Sequence, residues 1–381
     1  MRVALVTENF LPKLDGVTRT LAMLLEYLKR HGHQAVVIGP EGSPRRYAGA
    51  RVFGARGIPL PFYPELRFCL PEPVLETRVC LFHPDVIHVV EPVILGAAGI
   101  TWGGRLGVPV VSSYHTNLAA YCSYFNLGMF MEPMWLYRRY LHNQCARTLC
   151  PSPSTRQELT YRGFTQVEVW SRGVDTQLFS PERRSLAWRR HICGYEDERR
   201  SIVLYVGRLS HEKNLMALVS AYTAVETSST HLVVVGDGPA RADLEHALAG
   251  HNATFTGYLS GEALAEAYAS ADVFAFPSVT ETFGQVVLEA MASHLPVVAF
   301  DSEGIRDQVR DGQTGFLAPF GDRRGFTRAL SILVDAPELR QSIGAEAYAL
   351  AIRRRWETSM DSLLDVYRRV TERPRSRSRA A

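Results

Sequence analysis

Short apolar runs alternate with amphipathic stretches along this chain. Val3 to Thr7 reads as a buried strand. After a loop from Glu8 to Gly16, apolar positions recur at helical spacing from Thr18 to about Arg30, Gly32 closes the helix, and Gln34 to Gly39 is the next strand. Further strand runs are Asp85 to Val90, Pro109 to Ser113, Thr148 to Pro151 and Gln166 to Trp170. The second half repeats the plan with Ile202 to Val206, His231 to Val235, Ala253 to Thr256, Val273 to Phe276 and Pro296 to Ala299. Strands joined by helices predict an α/β protein with parallel sheets covered on both faces, and such sheets bind ligands at the carboxyl ends of their strands. The periodicity breaks near Ser171 to Pro181, and a helical end runs from Pro337 to about Thr371. The expected division is a Rossmann-like domain over 1–175, a second over 176–355, a helix over 356–371 returning to the first, and a disordered Arg-rich tail over 372–381.

The most informative local pattern is Ser278-Val279-Thr280-Glu281-Thr282-Phe283-Gly284-Gln285-Val286-Val287-Leu288-Glu289-Ala290-Met291-Ala292. It follows a strand and enters a helix near Gly284, so Glu281 lies in the loop and Glu289 about one and a half turns inside the helix. Between them the first-turn N–H groups and the helix dipole favour an anion. A carboxylate on each side of an anion site suits a phosphate ester flanked by two polyols, as in a nucleotide-sugar. Two glutamates at this spacing also arise by chance, so the weight must come from partners elsewhere in the chain.

Length and charge narrow the classes. A chain of 381 residues exceeds what one core supports, and 46% apolar with 21% charged residues is ordinary for a globular protein. A formal net charge of +3 does not point to nucleic acid. Its distribution is uneven: +5 over residues 1–170, −7 over 171–365 and +5 over the last sixteen. A basic first half and an Arg-rich tail fit an anionic lipid surface, or simply a solvated surface and a frayed end. The six cysteines have no C-x-x-C spacing and read as reduced thiols of a cytosolic protein. The chain begins directly in a predicted strand, so no signal peptide is expected, and no apolar run approaches the length of a membrane span.

Six separated segments share one resemblance: Gly16 in the first loop; Tyr114-His115-Thr116-Asn117; Arg172-Gly173-Val174-Asp175; Gly207-Arg208-Leu209 with Glu212-Lys213-Asn214; Gly236-Asp237-Gly238-Pro239; and Glu281 with Glu289. Together they cover nearly the whole chain and resemble retaining glycosyltransferase family 4, most of all its GDP-mannose-dependent α-mannosyltransferases and sulfolipid sulfoquinovosyltransferases. The resemblance implies the GT-B fold, two Rossmann-like domains facing a cleft. It implies that Glu289 bonds the ribose diol, that Glu281 bonds the sugar hydroxyls at C3 and C4, and that His115 works near the C6 hydroxyl. The amides of Phe283, Gly284 and Gln285 are expected to grip sugar and phosphate, with phosphate contacts from Val286 and Val287. Gly16 would let a loop approach the β-phosphate where a side chain would clash, although this chain has Asp15-Gly16 where the family often has two glycines. Asp237, Gly238 and Tyr258 are placed by the same resemblance near the base. The Gly236-Asp237-Gly238-Pro239-Ala240-Arg241 run also imitates a dinucleotide fingerprint, with Arg241 in place of its third glycine.

Arg208 and Lys213 follow the first strand of the second domain. Two fixed cations there can stabilise a departing diphosphate, Arg by chelating two oxygens and Lys as a point charge. No Asp-x-Asp ends a strand, the acidic run Glu196-Asp197-Glu198 reads as a solvated loop, and protein cations can stand in for a metal, so no cofactor is expected. The resemblance implies the same. Retention of configuration admits a carboxylate nucleophile or front-side attack. A Glu281 that grips sugar hydroxyls is badly placed to attack the anomeric carbon, which favours the front-side route. The stretch from Ala119 to Cys145 is dense in aromatics, among them Tyr121, Tyr124, Phe125, Trp135, Tyr137 and Tyr140, with Arg138 and Arg139 interposed. It reads as an interfacial element for a lipid-linked or glycolipid acceptor and a peripheral contact with an anionic membrane, or as a helix packed on the first sheet. An NAD-dependent dehydrogenase lacks its G-x-G-x-x-G here; a sugar-nucleotide epimerase would not need the aromatic segment; a non-catalytic nucleotide-sugar-binding protein would not need the intact charged set. Whether the donor is GDP-mannose or a UDP-sugar is not legible from the residues.

Overall fold

The structure, a computed structural model, describes residues 1–13, 15–60, 63–118, 128–194 and 200–372. Tyr121, Tyr124, Phe125, the acidic run 196–198 and the tail from residue 373 lie outside the described residues. Two compact units divide the chain. One comprises Met1–Ser171 with Trp356–Ala381, the other Arg172–Arg355.

The first unit contains strands β1 (Arg2–Thr7), β2 (Gln34–Pro40), β3 (Arg46–Tyr47), β4 (Ala50–Ala55), β5 (Gly57–Leu60), β6 (Tyr63–Cys69), β7 (Val86–Val90), β8 (Val110–Ser113), β9 (Arg147–Cys150) and β10 (Val167–Val169). Eight of them form one sheet in the order β10-β9-β8-β7-β1-β2-β4-β3, parallel except for the terminal β3–β4 pair, while β5 and β6 pair separately. Side chains of a strand alternate between faces. Val3 and Leu5 of β1 therefore pack against the helices Gly16–Arg30 and Trp356–Glu372, through Leu21, Leu24, Met360 and Leu363. Ala4 and Val6 point the other way, to Leu75, Val79, Leu95 and Ile100 of the helices Pro73–Phe82 and Leu95–Leu106. Burial on both faces is what makes β1 and β7 read as continuous apolar runs rather than alternating ones.

The second unit carries β11 (Ser201–Val206), β12 (Thr230–Val235), β13 (Ala253–Gly257), β14 (Val273–Phe276), β15 (Val297–Asp301) and β16 (Gly315–Pro319). All pair in parallel in the order β13-β12-β11-β14-β15-β16. In both units the chain winds outward from a central strand and then returns to its other side. This creates a topological switch point between β1 and β7, and another between β11 and β14.

Two features depart from expectation. No strand was expected between Gly39 and Asp85, where β3 to β6 lie, nor at β16, whose run Gly315-Phe316-Leu317-Ala318-Pro319 carries a glycine and a proline. The helical end is two helices, Pro337–Ala351 and Trp356–Glu372; in the connection the Arg354 carbonyl accepts from Val174 N at 2.8 Å.

Candidate active site

In the second unit the predicted site residues gather at the switch point. The strand β11 ends at Val206 and runs through Gly207 and Arg208 into a short turn, His211–Lys213. Ser210 Oγ donates to buried Glu212 at 2.6 Å and so fixes this turn. Asn214, with φ of +54°, reverses the chain and donates through Nδ2 to the Pro277 carbonyl at 3.4 Å, tying the turn to the loop after β14. The result is an ion pair. Lys213 Nζ lies 2.5 Å from Glu281 Oε1, their side chains 15% and 21% exposed, and Ser278 Oγ donates to the same oxygen at 3.2 Å. The expected phosphate cation and the expected sugar-binding carboxylate are therefore held together, each fixing the other. Arg208 is half-buried on the same loop, and its carbonyl accepts from the Tyr205 hydroxyl at 3.1 Å. Burial holds that hydroxyl far above its ordinary range and therefore neutral.

The loop from Pro277 then enters the helix Gln285–Ala292 through Gly284. Gly284 has φ of +79°, and a Cβ there would stand 2.5 Å from Ile305 Cδ1, so conformation and space both call for glycine. Gln308 donates to the carbonyls of Phe283 and Gly284, the latter at 3.1 Å, and Gly304 lies so close that a Cβ would meet the Thr282 backbone at 2.5 Å. This clamp aims the helix start. The Val287 amide is already engaged by the Gly284 carbonyl at 3.0 Å, so the first-turn N–H groups without an intrahelical acceptor are those of Gln285 and Val286. Gln285 Nε2 also donates to the Gly173 carbonyl at 3.0 Å. Glu289 is 2% exposed, with Oε2 3.3 Å from the Tyr268 hydroxyl.

The loop after β12 packs directly on the loop after β11. Leu209 N donates to the Asp237 carbonyl at 2.9 Å and Ala240 N to the Leu209 carbonyl at 2.9 Å. A Cβ on Gly236 would fall 1.9 Å from the Gly207 carbonyl oxygen, and one on Gly238 2.4 Å from that of Leu209. These glycines thus have a packing reason of their own, independent of any ligand. Tyr258 is 74% exposed and donates to the Asp237 carbonyl at 3.2 Å, which brings these two expected base contacts together. Asp237 accepts from Gly238 N and from Arg241, which holds its carboxyl below the usual range.

In the first unit, Asp15 caps the helix Gly16–Arg30, accepting from Thr18 N at 2.9 Å, so the helix begins two residues before the expected Thr18. A Cβ on Gly16 would meet nothing within 4 Å. His115 lies just beyond β8, 6% exposed, its ring edge-on to Trp170 and its Nε2 2.8 Å from Ser113 Oγ. Its backbone amide and that of Thr116 donate to Glu91 at 2.8 and 2.6 Å, and Arg138 closes an ion pair on the same carboxylate. Burial pushes the Glu91 carboxyl up, opposed by the Arg138 charge and the two amides. Arg138, expected to interrupt the aromatic stretch of an interfacial element or of a helix packed on the first sheet, is fully buried, 4.2 Å over the Tyr114 ring, because Glu91 at the end of β7 would otherwise be a buried lone charge. The helix Met131–Asn143 exposes Leu136 (53%) and Tyr140 (66%), with Met129 (80%) just before it, alongside exposed Glu132 and Asn143. Trp135 and Leu141 turn inward.

Glu91, Ser210, Ser278, Gln308 and Gly304 were missed from sequence. Gln308 follows Arg306 and Asp307 in a polar stretch and carries no signal of its own in the sequence. Among the described residues, no three His, Cys, Asp or Glu side chains stand together to hold a metal, no helix is long and apolar enough to cross a membrane, and Cys80 and Cys145 are free thiols.

Two Rossmann-like units, with charged loops at a strand switch point, define a glycosyltransferase of the GT-B fold. The comparisons agree. Residues 14–178 match the family described as Glycosyltransferase Family 4, and residues 194–350 that described as Glycosyl transferases group 1. A GDP-mannose-dependent alpha-mannosyltransferase of Mycobacterium tuberculosis is 37% identical over 380 residues, 98% of each chain. Sulfoquinovosyl transferase SQD2 of Arabidopsis thaliana is 36% identical over 91% of this chain and 69% of its own. Anabaena Alr3699/HepE, solved in complex with UDP, superposes with a TM-score of 0.79 at 18% identity, over 97% of this chain and 100% of that one. The chain belongs to glycosyltransferase family 4 and is an enzyme of that class.

Proposed function

We propose that this enzyme transfers an α-mannosyl group from GDP-mannose, with retention, to a lipid-linked or membrane-surface acceptor, by front-side attack and without a metal. The observation that carries the reading is the Lys213–Glu281 pair beside the first-turn amides of Gln285 and Val286, at the β11–β14 switch point. A diphosphate on those amides would draw Lys213 and Arg208 to its developing charge, where fixed donors act without reorganisation. Glu281, held by Lys213 and Ser278, suits gripping sugar hydroxyls rather than attacking carbon. The acceptor hydroxyl bonds to the anomeric carbon as the bond to the β-phosphate oxygen breaks, and that leaving oxygen takes the acceptor's proton. Glu289, Asp237, Gly238 and Tyr258 are assigned to the nucleoside, Phe283, Gly284 and Val287 to the loop that shapes the phosphate site, and Gly16 and His115 to the donor from the first unit.

The mannosyl choice follows the similarity to the mycobacterial enzyme; the similarity to a sulfoquinovosyl transferase supports a UDP-sugar as the alternative donor. The exposed side chains of Met129, Leu136 and Tyr140 support a lipid acceptor. Nucleoside diphosphate release is measured from GDP-mannose and from UDP-sugars, in the presence of a chelator, with and without lipid extract. Extract-stimulated GDP release that persists under chelation is expected. Release only from UDP-sugars overturns the donor, and release only with added divalent metal overturns the metal-free mechanism.

A further inference from the structure

The first unit holds a buried chain of hydrogen bonds that ends on His115. The Tyr367 hydroxyl lies 2.6 Å from His88 Nδ1, His88 Nε2 lies 2.9 Å from Ser113 Oγ, and Ser113 Oγ lies 2.8 Å from His115 Nε2. Tyr367, His88 and Ser113 are 0% exposed. Among the described residues, the Tyr367 hydroxyl, both His88 nitrogens and the Ser113 hydroxyl have no further hydrogen-bond partner. This inventory allows one direction only. A buried donor without an acceptor is what native interiors avoid, so Tyr367 O–H must donate to His88 Nδ1. Neutral imidazole carries one proton, so His88 then bears it on Nε2 and donates to Ser113 Oγ. The Ser113 proton is left with a single acceptor, His115 Nε2. Reversing any link orphans the Tyr367 or the Ser113 proton. Burial holds His88 down at about 3, which keeps it the neutral, one-proton link that the chain requires. His88 and His115 also share the Trp170 ring as an edge-on neighbour, which limits how either imidazole can turn.

We propose that Tyr367, His88 and Ser113 are positioning residues that form a one-way hydrogen-bond relay holding His115 in the tautomer protonated on Nδ1. A residue of the helix Trp356–Glu372 thereby decides which nitrogen of a loop histidine donates, and Nδ1–H is the group His115 offers to a sugar hydroxyl or to a phosphate oxygen. That last consequence rests on the role proposed above for His115; the tautomer itself does not.

The test uses the full chain with nitrogen-15-labelled histidine at neutral pH. Imidazole nitrogens are read by long-range proton–nitrogen correlation, with His115 assigned through His115→Gln. His115 is expected to show a protonated Nδ1 and an unprotonated Nε2, and His88 the reverse. Tyr367→Phe and Ser113→Ala should each move His115 toward a tautomer mixture; if one variant does not fold, the other carries the comparison. A wild-type His115 protonated on Nε2, or a pattern unmoved by either variant, overturns the relay. Tyr367→Phe should also lower kcat ten- to a hundredfold with KM unchanged, the size found for partners that orient metal-bound imidazoles. Adding it to His115→Gln should bring no further loss, and additive losses overturn the relay. If His115→Gln turns over at the wild-type rate while the tautomer is as stated, the relay stands and the role given to His115 falls.

Discussion

Replacing Lys213 by Met separates two jobs that the ion pair with Glu281 combines. Nζ stands 2.5 Å from Glu281 Oε1, with the two side chains 15% and 21% exposed. At that separation and an effective dielectric of about 20, the gross attraction is about 7 kcal/mol. Most of it is offset by desolvation, and a hydrogen bond to a charged group contributes about 1.5–3 kcal/mol net. With about 2 kcal/mol lost, melting should fall by about 4–8 °C for a unit of this size. Turnover should fall further, by about 10²–10³, because a fixed cation beside a leaving diphosphate acts mostly in the transition state. The assay is nucleoside diphosphate release read as kcat and KM, beside thermal melts of the same samples. The double variant Lys213→Met/Glu281→Gln removes the stranded carboxylate charge and should regain most of the lost stability without regaining turnover. If turnover returns with stability, Lys213 is only a partner for Glu281, and its role at the diphosphate is refuted.

Gly238→Ala should destabilise by about 1–3 kcal/mol and lower the melting temperature, because its Cβ would meet backbone, the Leu209 carbonyl at 2.4 Å, and backbone cannot swing aside. The folded-state pKa of His88, near 3, lies below the unfolded 6.5, so the unfolded chain takes up the proton first. Stability is then full above pH 6.5 and declines toward pH 3 by up to about 1.4 kcal/mol per unit from this residue, and His88→Gln should flatten that part of the curve in denaturant titrations. Leu136→Glu with Tyr140→Glu should abolish flotation with anionic vesicles while leaving the melting temperature unchanged, since both side chains are exposed. Unchanged flotation would remove the membrane role of this helix.

The parallel architecture was legible because strands buried on both faces read as apolar runs, as in Val3 to Val6 and Val203 to Val206. Strands with weaker runs were not. In β4, Ala50 and Val52 are buried but Arg51 is exposed and Gly54 interrupts, so the pattern resembles a loop. The candidate site was legible only in its charged groups. Glu281 and Lys213 stand out as charges beside strand ends, whereas Gln308 and Glu91 act by aiming a neighbouring backbone and resemble surface residues in the sequence. The burial of Arg138 was hidden for the same reason. A charge looks solvent-facing until its partner, 47 positions away, is found beside it.

By itself the chain of residues determined the alternation of strands and helices, where the glycine turns fall, and which charged groups lie at strand ends, because each depends on near neighbours. The tertiary structure decided which of those groups meet. It paired Lys213 with Glu281 across 68 positions, set the β12 loop on the β11 loop through Gly236 and Gly238, and brought Tyr367 against His88 across 279 positions. Such partnerships rest on strand order and burial, where a polar atom must find an acceptor among whatever the fold places nearby.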